Sequence, residues 1–414
     1  MRRRRSRRTR AGAGSGAWAR RPPEATILAD TGAARTGAAR TGAARTGTAV
    51  AAFANAVLTH TLDYDDTHAG GLVHATAPVM PVALAVGEET GATGQAIMLA
   101  ALAGYEAVCR FGAAVPHGFH AHGLHATAAC GPLAAALVAA RLYGLSAGRT
   151  VDALGIAGSQ AGGLLEFLNT GASTKQLHPG FAAHAGVLAA RLARAGATGP
   201  DTVLEGEHGL YGALLGRPGT NPVRDLGRVW EVTRITIKPY PACQLLHAAL
   251  DAARLARQQV ARQDIGSVVA QVHPDAAALV CGPGKERPRT PYDAKFSLPW
   301  CVAAMLIDGE VTTETFRDIG RADVADLAAR VATEIADLPC AAADQPGLLR
   351  VRRADGTELV TGVPRSTGGP DDPDLDALVR RKALANGLTA PAIEMILTLD
   401  ELPGVAPLME VLGS

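Results

Sequence analysis

From Thr48 onward, small apolar residues recur at helical spacing, with glycines between the runs. Residues 49–62 read as a helix. Thr93 is placed to cap another running to about residue 113, and Ser146 to cap one running to about residue 159. Residues 132–143, ended by Gly144, and residues 180–195 complete the set. Alanine on several faces of these segments implies closely packed helices, so the first half is expected to be an all-α bundle.

Near Arg234 the period changes. Residues 234–237 and 267–273 alternate, and residues 348–361 read as two strands around an Asp355-Gly356 turn. Helical patterns lie between them at 247–262, 296–307 and 319–335. The stretch 366–374 reads as a linker, after which 375–413 returns to helical spacing. The expected fold is therefore mainly α: a discontinuous helical domain, 48–232 plus 370–414, with an inserted α+β lid domain at 233–369.

The first 47 residues depart from this pattern. Residues 1–10 hold seven arginines, and residues 31–45 are three copies of Thr-Gly-Ala-Ala-Arg, an Arg/Ala/Gly-rich extension expected to be disordered. No apolar core follows the arginines, so an export signal is not read there. The arginines could contact phosphate backbones. Arginine outnumbers lysine throughout, however, so composition bias is the expected cause and nucleic acid is not an expected partner.

The remaining composition is restrictive rather than informative. A net charge of +1 with 19% charged residues names no partner, and 414 residues at 48% hydrophobic content support two or three globular domains. Apolar runs such as 132–140 and 298–307 fall short of the ~20 residues of a bilayer span, so no membrane association is expected. Six scattered cysteines without a Cys-x-x-Cys pair signal neither a disulfide framework nor a zinc site, and a cytoplasmic location is expected.

Candidate chemistry is concentrated in three places. Asp63, Asp65, Asp66, His68 and His74 follow the first helix directly, and His117, His120, His122 and His125 lie in a glycine-rich stretch. Imidazole suits proton transfer near neutral pH, with a carboxylate to orient it. The same acidic run could instead ligate a metal, in which case Asp65, Asp66, His68 and His74 would serve a metal-dependent hydrolase. Where arginine fills most cationic positions, a lysine is worth noting. Lys175, in Ser-Thr-Lys-Gln-Leu-His178, and Lys238, in Ile-Lys-Pro-Tyr-Pro-Ala-Cys243, both border regular elements. With no phosphate loop present, lysines beside histidines suit a small substrate bearing several carboxylates.

Taken in order, the motifs resemble those of the MmgE/PrpD family. They are Leu62-Asp-Tyr-Asp-Asp-Thr-His68 with His74, Gly104-Tyr-Glu-Ala-Val-Cys-Arg110, Gly123-Leu-His125, Gly155-Ile-Ala-Gly-Ser159, Lys175-Gln-Leu-His178, Leu204-Glu-Gly206, Ile237-Lys-Pro-Tyr-Pro-Ala-Cys243 with His247, and Met305-Leu-Ile-Asp-Gly309. The resemblance covers about residues 48 to 414. It implies a homodimeric enzyme with a helical domain and a smaller lid domain, working without metal, iron–sulfur cluster or organic cofactor. Reactions in the family include 2-methylcitrate dehydration, cis-aconitate decarboxylation and iminodisuccinate epimerisation.

By motif, the resemblance implies that Asp63 orients His74, that His74 and His125 move protons, and that Lys175 and Lys238 bind substrate carboxylates. His178, Cys243, His247 and Trp300 are the further substrate-binding positions. His117, His120 and His122 are expected to be loop or surface residues. Cys243 stands where the family's decarboxylases have histidine, and Trp300 where they have tyrosine. Both departures favour a 2-methylcitrate dehydratase-type lyase over a cis-aconitate decarboxylase, with an epimerase or decarboxylase on a related acid as the alternative. Members also carry a helix before the acidic motif, where this chain has its repeats.

Overall fold

The computed structural model describes residues 25–28 and 45–412. The first half forms the expected helical bundle, built on Thr48–Thr61, Gly94–Ala113, Ala126–Leu142, Ala147–Gly158 and His178–Arg194, with one further helix, Thr76–Thr90, that the sequence pattern does not mark. Both predicted caps form: Thr93 and Ser146 accept hydrogen bonds from the backbone N–H groups of Ala96 and Arg149. Ala126–Leu142 begins six residues before Pro132, where the pattern placed its start. A helix buried on almost every side offsets by packing the backbone bond that an internal proline forfeits. It packs against His178–Arg194 so tightly that a Cβ on Gly186 would lie 2.3 Å from that of Ala135.

A second apolar core gathers His247–Arg257 and Leu298–Asp308 against a four-stranded sheet. Strand order is Val331–Ile335, Ile265–Val272, Gly347–Arg353, Glu358–Val363; the first pair is parallel and the other two are antiparallel. The helix expected over 319–335 is confined to Ala322–Ala328, and Val331–Ile335 is a strand. Apolar residues at three- and four-residue intervals mimicked a helix there. The β-branched Val331, Thr333 and Ile335 instead pair with an open strand edge that only the folded chain supplies.

Two expectations about flexible segments need correction. The 366–374 stretch is anchored: Thr367 donates through its N–H and its hydroxyl to the Asp251 carboxylate, and Gly368 accepts from the Ile237 N–H at 2.8 Å. Gly368 has φ +83°, and a Cβ there would sit 2.0 Å from the Ile237 carbonyl oxygen. Within the N-terminal extension, Ala25–Thr26 pairs with Arg45–Thr46 and Ala25 is fully buried in the first core. The arginine run and most of the repeats lie outside the described residues.

Beyond the linker, Leu375–Ala385, Ala390–Leu397 and Ala406–Leu412 are helices. Leu399, Val405, Leu408 and Met409 return to the first core, so that core is assembled from two distant stretches of chain. Gly94–Ala113 is long and apolar enough to cross a membrane by length and composition, but half of that window is buried inside the fold. It also carries the buried Glu106–Arg110 ion pair, as a core helix can.

Candidate active site

The site is built where the two cores meet. A short antiparallel ladder pairs Asp66–His68 with Ile235–Ile237, in the register Asp66 opposite Ile237. This sets Lys238 beside the acidic loop, and the Lys238 N–H donates to the Asp65 carbonyl at 3.2 Å. The first helix ends at Thr61, and Asp63 turns the chain with φ +51°, a left-handed conformation that aspartate tolerates better than most residues.

A closed ring of charged contacts follows from that turn. Lys175 Nζ donates to Asp63 Oδ1 at 2.7 Å and to His60 Nε2 at 3.0 Å. Lys238 Nζ reaches the same Asp63 oxygen at 2.9 Å and lies 3.4 Å from Asp65 Oδ1. Asp65 Oδ2 accepts from His60 Nδ1 at 2.6 Å and closes the ring. Burial alone would push the Asp63 and Asp65 carboxyls up; the Lys175 and Lys238 ammonium groups on Asp63, and His60 with Lys238 beside Asp65, hold both below the usual range. Burial would likewise depress Lys238, but the two carboxylates keep it above its ordinary value.

The imidazoles are in the opposite condition. Burial and the nearby lysines drive His74 and His125 well below the ordinary histidine pKa, so both are neutral near pH 7. His74 Nδ1 donates to the Asp66 carbonyl at 2.7 Å, an acceptor only, so its Nε2 keeps a basic lone pair. His125 Nδ1 meets His178 Nδ1 at 3.1 Å, and His125 Nε2 is buried without a partner. The His74 and His125 rings are 5.6 Å apart.

Asp63, Thr67, His74, His120, His125, Lys175, Cys243 and Gln244 share the wall of one cavity, with Leu165, Phe167 and Phe296 among its apolar lining. Asp63, His74, His125, Lys175 and Cys243 therefore converge as the motifs implied. His178 supports His125 through the ring contact. Lys238 stands behind Asp63 rather than in the wall. His247 donates to the Ala242 carbonyl at 3.1 Å with its ring edge-on to Tyr240, and the fully buried Trp300 packs near Phe316; neither lines the cavity.

Three expectations change. His74 is not oriented by Asp63: the Asp66 carbonyl and, at 3.3 Å, the Thr67 hydroxyl hold it, while Asp63 pins the two lysines. His120 is a wall residue, its Nδ1 buried without a partner and its pKa driven by burial to about 3. In the sequence, His120 shares its glycine-rich stretch with His117, His122 and His125, and residue type alone does not set it apart from them. Thirdly, the proposed metal set does not converge. Asp66 turns to Thr76, His68 to Glu231, and among the described residues the donors that cluster within 4.8 Å form two other groups, His60, His74 and His125, and His60, Asp63, Asp65 and His74. The Asp63 and Asp65 carboxylates of that set already face lysine ammonium groups.

The acidic loop has further partners the sequence did not suggest. Lys295 donates to the carbonyls of Leu62 and Pro241, and Lys382 to those of Asp65 and Lys238. Four of the five lysines in the chain therefore surround one loop, against the ionised Asp63 and Asp65 and an Asp66 that burial and Asp65 raise to about 7. The surplus is positive, which suits an anionic ligand.

Comparison with known proteins agrees with this architecture. The sequence profile of the MmgE/PrpD N-terminal domain matches residues 8–222, and that of the MmgE/PrpD C-terminal domain matches residues 240–395. The chain belongs to the MmgE/PrpD family. Its similar relatives include a cis-aconitate decarboxylase of Aspergillus terreus, 29% identical over 401 residues that cover 88% of this chain and 81% of the relative. A cis-aconitate decarboxylase of Homo sapiens is 29% identical over 306 residues, 69% of this chain and 61% of the relative. The relatives are thus decarboxylases, although Cys243 and Trp300 had weighed against that subclass of the MmgE/PrpD family. Trp300, lying outside the cavity wall, carries less weight in that argument than Cys243, which is in it.

Proposed function

We propose that this MmgE/PrpD protein is a lyase acting on a small di- or tricarboxylate through a carbanion beside a carboxylate. The observation that carries the reading is a single cavity whose wall presents the Lys175 ammonium and two neutral imidazoles, His74 and His125, within a positively charged surround. Lys175 binds a carboxylate and stabilises the charge that develops on the adjacent carbon. A polyanion in the cavity also raises the affinity of nearby imidazoles for protons. In decarboxylation the carbon–carbon bond breaks, carbon dioxide leaves, and the electron pair left on the substrate takes a proton from His74 or from the His125–His120 side.

Similarity to cis-aconitate decarboxylases makes that acid the first substrate to test. Dehydration of a 2-methylcitrate-like acid is the second reading, favoured by imidazoles that rest as bases and can abstract a proton before hydroxide leaves. The homodimer implied by the family resemblance belongs to the same proposal and is checked by sedimentation. The deciding experiment incubates metal-free protein in D2O with cis-aconitate, citrate and 2-methylcitrate and follows each by proton NMR. Loss of carbon dioxide with deuterium in the product supports decarboxylation, and loss of water supports dehydration. No turnover or exchange with any of these acids, but hydrolytic activity on adding zinc or manganese, overturns the reading.

A further inference from the structure

Three contacts within four residues single out the acidic loop. The Leu62 carbonyl accepts from Lys295 Nζ at 2.9 Å, the Asp63 carbonyl from Lys238 Nζ at 3.2 Å, and the Asp65 carbonyl from Lys382 Nζ at 3.0 Å. These ammonium groups come from three separate parts of the chain: the turn before Leu298–Asp308, the end of Ile235–Ile237, and the helix Leu375–Ala385. Lys238 also belongs to the charged ring around Asp63. Lys295 and Lys382 do not line the cavity and touch no catalytic carboxylate oxygen. Their remaining contacts are the Pro241 carbonyl at 2.7 Å and the face of Phe316 for Lys295, and the Lys238 carbonyl at 3.1 Å and the face of Tyr64 for Lys382.

We propose that Lys295 and Lys382 are positioning residues: their ammonium groups hold the carbonyls on either side of Asp63, so that its left-handed turn keeps its carboxylate on Lys175 and Lys238. The proposal rests on reading the cavity as the active site. Its physical basis is that a non-glycine residue at φ +51° persists only where its surroundings over-determine it. An ammonium ion on the Leu62 carbonyl before it and another on the Asp65 carbonyl two residues after it do so from outside the substrate's space.

A purely stabilising role fits less well. Burial lowers Lys295 to about 8, against the opposing pull of Asp63 and Cys301 and with Lys238 and Lys175 adding to the decrease. Burial lowers Lys382 to about 8 as well, against Asp65 and Asp66 and with Lys238 adding to it. Each folded-state pKa is below the unfolded value of 10.5, so holding either charge at pH 7 weakens the fold rather than strengthening it. Replacing such a buried charge by an apolar chain of similar length is often neutral or stabilising. A cation kept under that penalty is explained by what it positions.

The test uses the full chain with Lys382→Met, Lys295→Met and the charge-retaining Lys382→Arg. Amide hydrogen exchange is read in a peptide spanning residues 62–68 and in a control from Ala126–Leu142, beside the melting temperature and, with cis-aconitate as probe, kcat and KM. Both methionine variants are expected to melt no lower than the parent, while residues 62–68 exchange about tenfold faster and the control is unchanged. Misplaced by about 1 Å, the site should lose about a hundredfold in kcat with KM within about threefold, and Lys382→Arg should restore most of it. Unchanged exchange at 62–68, or faster exchange everywhere with a lower melting temperature, overturns the proposal. If a variant does not fold, the wild-type protein decides. Its protection at 62–68, corrected for intrinsic exchange, should fall between pH 7 and 9 as both ammonium groups deprotonate, and constancy overturns the idea. If the wild type turns over none of the acids, the functional reading fails separately, and hydrogen exchange still decides the positioning.

Discussion

Asp63 carries more of the site than any other single side chain, because one of its oxygens serves two buried lysines at 2.7 and 2.9 Å. In Asp63→Asn Lys175 loses its carboxylate partner and Lys238 keeps only the longer contact with Asp65, at 3.4 Å, while both ammonium groups remain buried. The variant should lose about 3–5 kcal/mol of stability, read by denaturant unfolding, together with its turnover. A stability loss under about 1 kcal/mol would show that the lysines find other partners. Residue types made part of this legible: aspartate after a helix, lysine in an arginine-rich chain, and histidine beside both mark Asp63, Lys175 and His74. His60 was hidden because it lies within Thr48–Thr61, where a histidine looks like packing. Lys295 and Lys382 were hidden because nothing in their own neighbourhoods relates them to residues 62–65.

Among elements, the contact between Ala126–Leu142 and His178–Arg194 matters most to the site. His125 immediately precedes the first helix, and Lys175 lies in the turn Thr174–Leu177 that runs directly into the second. Gly186 lets these helices approach until a Cβ would lie 2.3 Å from Ala135 Cβ and 2.6 Å from its backbone. Gly186→Val should therefore force the helices apart, at a cost of about 1–3 kcal/mol or more. Turnover should fall further than stability predicts, because His125 and Lys175 separate. Equal losses in a thermal melt and in kcat would instead show that the site tolerates the shift. Helix existence was readable where period and caps coincide, as Thr93 and Ser146 show, but not at Thr76–Thr90, which is buried on most sides and so carries no clear apolar face. The strand Val331–Ile335 was not, because its pairing edge is a property of the folded sheet.

The whole molecule shows why distant parts of the chain depend on each other. Ending the chain after Leu397 removes Leu399, Val405, Leu408 and Met409 from the first core, on the order of 6–12 kcal/mol of apolar burial. That is comparable with the entire stability of a typical domain, so the truncated chain should lack a cooperative unfolding transition; a normal melt would refute the assembly described above. Acid should act on the same scale. His60, His74, His120, His125, His178 and His247 all have lowered folded-state values, so the unfolded chain binds protons that the fold refuses once pH drops below about 6.5. Their stabilising effect is complete above that pH and is lost below it, by up to about 1.4 kcal/mol per pH unit for each histidine. Asp66, raised to about 7, opposes this by a single proton, and Asp63 and Asp65 add to the loss only nearer pH 4. The melting temperature should thus fall steeply from pH 7 to 5; a flat profile would mean that the histidines are not neutral in the fold. The sequence by itself determined the helical class, the return of the C-terminal segment to helix, and the acidic and lysine motifs, since period, capping and residue chemistry are local. Only the tertiary structure decided which side chains face the cavity, which stand behind it, and that four lysines converge on one loop. Those facts depend on contacts between residues more than a hundred positions apart, and no local pattern encodes them.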